Sequence, residues 1–71
     1  MESVAQVILD TLAANGGVIS WDVMLAAVPQ EGRRFIWEAL NHLQATNQAK
    51  PQNRYDAENQ QAVFEIVTLG G

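Results

Sequence analysis

The chain contains no cysteine, two prolines and a single histidine. Without cysteine there is no disulfide framework, no thiolate metal site and no thiol nucleophile. That suits a reducing cytosol, although many extracellular domains also do without cysteine. No apolar run approaches the ~20 residues needed to cross a bilayer. The opening MESVAQVILD has no basic segment ahead of its apolar part, so it does not read as a secretory signal. The expectation is a soluble chain with no membrane partner, cytoplasmic, or nucleoid or nuclear if it binds DNA. Positive charge is scarce: Arg33, Arg34, Lys50 and Arg54 stand against eight acids, for a formal net charge of −4. An acidic balance argues against indiscriminate polyanion binding.

What remains is enough for a folded domain. Seventy-one residues, 48% hydrophobic and 17% charged, point to one globular domain over residues 1–71. A chain this short buries only about 60% of its unfolded surface, so every large apolar residue should be used. The charges are also ordered. Residues 1–32 sum to −4, residues 33–54 to +3 and residues 55–71 to −3. A local positive field in the middle third can act where the net charge would repel; chance clustering of four cations is the alternative.

Periodicity supplies the elements. ESVAQVILDTLAANGG predicts a helix with Val4, Ala5, Ile8, Thr11 and Leu12 on one side, Ser3 or Glu2 at its N-terminus and NGG as a left-handed stop. VIS is a stub of strand or an extended link. Ser20 then sits as an N-cap before WDVMLAAV, whose buried side is expected to be Val23, Met24, Ala27 and Val28, ended by Pro29. PQEGRR reads as a turn. A third helix runs from about Glu31 or Arg33 to about Thr46, with Phe35, Ile36, Ala39, Leu40 and Leu43 inward. AKPQNRY suits an edge strand because Pro51 cannot donate to a ladder. DAENQQ is a polar loop, and AVFEIVTL is the best strand in the chain.

The order helix, strand, helix, turn, helix, strand, loop, strand resembles the winged helix-turn-helix family over essentially the whole chain. The resemblance is carried by NGGVIS, PQEG, FIWEALNHL and AKPQNRYDAENQQAVFEIV. It implies a small α+β fold, three helices followed by a C-terminal two-stranded wing over about residues 49–68. It also implies that the third helix, about 31–46, enters a DNA major groove while the wing touches backbone or minor groove. One departure is the position after the third helix, commonly Gly in such domains and here TNQ, where Asn47 can take the left-handed conformation at more cost than Gly.

On the expected outward side of the third helix, Asn41 lies between Arg34 and Trp37, with Gln44 a turn beyond. Arg can pair with guanine, and Asn or Gln with adenine. Arg33 and Arg34 occupy the end of a recognition helix that meets the duplex, and Lys50 and Arg54 suit phosphates. The candidate DNA-binding set is therefore Arg33, Arg34, Trp37, Asn41, Gln44, Lys50 and Arg54. Read blandly, the same residues are an ordinary solvated face, and Glu38 on that side would repel phosphate. Arg at a helix N-terminus opposes the helix dipole, a small cost that hints at another use. Trp37 on a polar face suits a binding hot spot, with packing at the rim as the alternative.

No chemistry of another kind can be assembled. His42 stands without a carboxylate cluster to share a metal, Ser3 and Ser20 read as caps, and there is no phosphate loop or paired carboxylate. The chain is expected not to be an enzyme and to need no cofactor or metal. The preferred function is a DNA-binding regulator of transcription or another DNA transaction, because the basic residues and the polar amide side chains coincide on one predicted surface; the alternative is a protein-interaction module in a larger assembly, which the net charge favours. A third, a homodimer joined through AVFEIVTL, is weaker.

Overall fold

The computed structural model describes residues 3–69. It is a small α+β fold with three α-helices and one three-stranded antiparallel sheet. Helix α1 spans Val4–Ala14, strand β1 Val18–Ser20 and helix α2 Trp21–Ala27. A 3-10 helix over Gln30–Phe35 leads into α3, Ile36–Ala45. Strands β2, Ala49–Asp56, and β3, Gln61–Thr68, complete the chain.

The helix ends follow from local chemistry. Ser3 Oγ accepts from Gln6 N–H at 3.1 Å and Ser20 Oγ from Val23 N–H at 3.2 Å, filling orphan donors of α1 and α2. Glu2, the other expected cap, lies outside the described residues. Gly16 and Gly17 turn left-handed at φ 78 and 96, and Gly17 N–H returns to the Leu12 carbonyl at 2.8 Å. Asn47 does the same for α3 at φ 60, with Gln48 N–H on the Leu43 carbonyl at 2.8 Å and Asn47 N–H on that of Gln44 at 3.1 Å. The missing glycine is replaced in function by an asparagine.

The sheet order is β1-β3-β2. The wing was expected to have two strands; instead VIS joins it, pairing Val18, Ile19 and Ser20 with Val67, Ile66 and Glu65. β2 is an edge strand, as Pro51 requires, and β3 is central. Facing residues across an antiparallel pair share one side of the sheet. Ile19, Ile66, Pro51 and Ala49 therefore face the helices, with Ile19, Ile66 and Ala49 buried. Val18, Ser20, Glu65, Val67, Lys50, Gln52 and Arg54 face the other way.

The core joins Ile8 and Leu12 of α1, Met24 and Val28, and Ile36, Ala39, Leu40 and Leu43 of α3 to that sheet face. Gly32 lets the 3-10 segment lie close against α1: a Cβ there would lie 3.1 Å from Val4 Cγ2.

Three expectations need correction. The third α-helix starts at Ile36, because the turn tightens into 3-10 geometry through Phe35. Successive 3-10 residues turn by about 120° instead of 100°, so α-helical phase cannot be carried back across Arg33–Phe35. Phe35, expected inside, is 43% exposed. On α2, Val23 and Ala27 are exposed, while Leu25 and Trp21 pack partly against the core instead.

Candidate functional site

The outward side of α3 carries Trp37, Asn41 and Gln44, all exposed and spaced four and three residues apart, hence one stripe. Trp37 is 56% exposed, yet it is not loose. Its ring centroid lies 5.4 Å from Trp21, the first residue of α2, and 6.3 Å from Phe64 on the helix-facing side of β3. Trp21 and Phe64 meet edge to face at 4.9 Å. Such offset and tilted contacts each add ~0.5–1.5 kcal/mol beyond area burial. The three rings thus form a shelf that ties α2, α3 and β3 together and presents one face of Trp37 to solvent. Tyr55, 67% exposed, lies on this same side of the sheet, opposite Ala62.

The four cations do not gather on this shelf. Arg33 Nη2 donates to the Leu25 carbonyl at 3.0 Å. It caps the C-terminal end of α2, where a cation complements the dipole; this accounts for an arginine that looked unfavourable as the start of α3. Arg34 lies in the 3-10 helix, its Cζ 4.8 Å from the Phe35 ring centroid. It borders, with Phe35, Glu38 and His42, an open groove against Val4 and Val7 of α1. Lys50 and Arg54 point from the sheet side opposite the helices. The structure therefore brings together Trp37, Asn41 and Gln44, sets Arg33 against α2 one turn beyond Trp21, and places Arg34 at the α1 groove and Lys50 and Arg54 on the far side of the sheet.

Arg54 has an internal partner. Its Nε donates to Glu65 Oε1 at 3.1 Å, and Gln52 Nε2 donates to the same oxygen at 3.0 Å. Glu65 is only 6% exposed, in the central strand. The Gln52 hydrogen bond, then Arg54's hydrogen bond and charge, hold its carboxyl below the usual glutamate range against a desolvation that pushes upward. At the hairpin tip, Asp56 Oδ2 accepts from Asn59 Nδ2 at 2.8 Å and Oδ1 accepts from the Glu58 N–H at 3.0 Å, lowering that carboxyl too. Among the described residues, no group of three or more His, Asp and Glu side chains could hold a metal.

Sequence reasoning missed Trp21, Phe64 and Glu65. Alternation along β3 separates Phe64 and Ile66 from Glu65, and so flags an acid opposite the core face. It does not show that Gln52 and Arg54 cover that acid, which depends on cross-strand register. Comparison with known proteins matches no family model, no curated protein and no solved structure.

Proposed function

We propose that this chain is a winged-helix module that docks onto a protein partner through the aromatic shelf and the outward stripe of α3. The observation that carries this reading is Trp37, more than half exposed while braced on Trp21 and Phe64. A large ring held in one orientation loses little side-chain entropy on contact, which is why Trp anchors so many interfaces. Asn41 and Gln44 add polar contacts along the same stripe. The net charge of −4 suits a partner surface of basic character.

Duplex DNA is the second reading, favoured by the alignment of Asn41 and Gln44 on an open helix face, since such amides can pair bidentately with adenine. It ranks second because Arg33 and Arg54 already satisfy a carbonyl and a carboxylate of the chain itself, and Glu38 lies on α3. Few cations are left to displace the counterions on which DNA affinity depends.

The test compares wild type with Trp37→Ala. Immobilised wild-type chain should capture a partner identifiable by mass spectrometry, and the variant should lose it at least about tenfold. Low-salt duplex should leave the α3 amide resonances unshifted. Duplex-induced shifts confined to Trp37–Gln44, with no partner dependent on Trp37, would reverse the order of the two readings.

A further inference from the structure

The geometry points to a second copy of this chain as the occupant of the groove between α1 and the segment from the 3-10 helix into α3. The groove has a volume of about 1100 Å³ and is open along its length. It exceeds the ~300–1,000 Å³ of ordinary small-molecule pockets and does not enclose them, so a protein surface suits it better. Its floor is apolar: Val4 and Val7 from α1, Phe35 and Ala39 from the other side. Phe35 is 43% exposed there, a large apolar residue that a thin core has left unused.

The rim decides the occupant. A two-fold interface is isologous, so its patch must be complementary to itself. Arg34 and Glu38 flank the groove together, two residues to either side of Ile36. A two-fold axis at the level of Ile36 sets each Arg34 against Glu38 of the second copy, twice over, while the two Phe35 rings meet near the axis. Arg34 is already ordered by its 4.8 Å approach to Phe35, so its charge is held where this pairing uses it. The rim is of mixed sign, Arg34 against the two acids Glu31 and Glu38, so each copy offers an arginine to an acid of the other.

The interface is weak by area. A stable dimer takes ~800 Å² from each partner, about a sixth of the 4749 Å² surface, and the groove with its rim supplies only part of that. The dimer therefore forms with rising concentration. It uses a different side of α3 from Trp37 and does not depend on the proposed docking of that residue.

Sedimentation equilibrium from micromolar to millimolar concentration tests the inference. Wild type should rise from 7.8 kDa toward twice that mass. Arg34→Glu and Glu38→Lys, both at exposed positions, should each associate at least about tenfold more weakly. An equal mixture of the two variants should recover association, because every cross-copy pair is then attractive. Trp37→Ala should dimerise as wild type does. A wild type that remains monomeric throughout, single variants that associate unchanged, or a mixture that stays monomeric would each overturn it.

Discussion

Replacing Arg54 should harm the fold more than replacing the buried acid it serves. With Arg54→Ala, Glu65, which is 6% exposed beneath Gln52 and Arg54 in the wild type, retains only Gln52 as side-chain donor. A hydrogen bond to a charged group contributes ~1.5–3 kcal/mol; because Arg54 is 53% exposed, solvent screening brings the expected loss to about 1 kcal/mol. Glu65→Met instead removes the buried charge and places a flexible apolar chain on the side of the sheet that carries Val63 and Val67, so its cost should stay within about 0.5 kcal/mol. For a chain of this length, ~1 kcal/mol corresponds to a midpoint change of roughly 4–8 °C.

The pH dependence sharpens the comparison. Glu65 has a folded-state pKa lowered from 4.5. Its contribution is therefore fully present above that value and fades as pH falls through it and through the lower folded-state value. The Arg54→Ala deficit should be clear at about pH 7 and should shrink steadily as pH falls through 4.5 and then through the lower folded-state value, as the carboxyl is protonated. Urea unfolding followed by tryptophan fluorescence across that pH range measures it. A variant as stable as wild type at neutral pH, or one with an equal deficit in acid, would refute the reasoning.

Two further substitutions probe the backbone. Asn47→Gly should raise stability by about 0.5 kcal/mol, since φ 60 suits glycine better than asparagine; a lower unfolding midpoint would count against the cap geometry. Gly32→Ala should cost about 1 kcal/mol by crowding the Val4 methyl 3.1 Å away, and in a double-mutant cycle the cost should largely vanish in a Val4→Ala background.

The elements were legible wherever one local rule decided them. Ser20 was readable as a cap, NGG as a stop, Pro51 as an edge marker and Asn47 as a left-handed closure, because each acts over a few residues. The buried stripe of α3 was equally legible from Ile36, Leu40 and Leu43. What escaped depended on neighbours distant in sequence. A 3-10 turn ahead of Ile36 shifted the phase of Arg34 and Phe35, and no pattern in QEGRRF distinguishes that turn from the first turn of an α-helix. The gathering of cations at residues 33–54 was real along the chain but not in space. Alternation in β2 sends Lys50 and Arg54 behind the sheet, while Leu25 draws Arg33 toward the end of α2. The aromatic shelf needed three elements to meet, so Trp37 alone could be noticed.

The brevity of β1 divides β3 into unequal halves. Glu65, Ile66 and Val67 are paired on both sides, whereas Gln61–Phe64 have a strand neighbour only in β2. Local opening follows such differences in backbone protection. The hairpin can fray from its tip as far as Phe64 while the doubly laddered segment stays closed over the core. Slow amide exchange thus belongs to Glu65–Val67, fast exchange to the tip, and the boundary between the two regimes falls at the ring on which Trp21 and Trp37 rest.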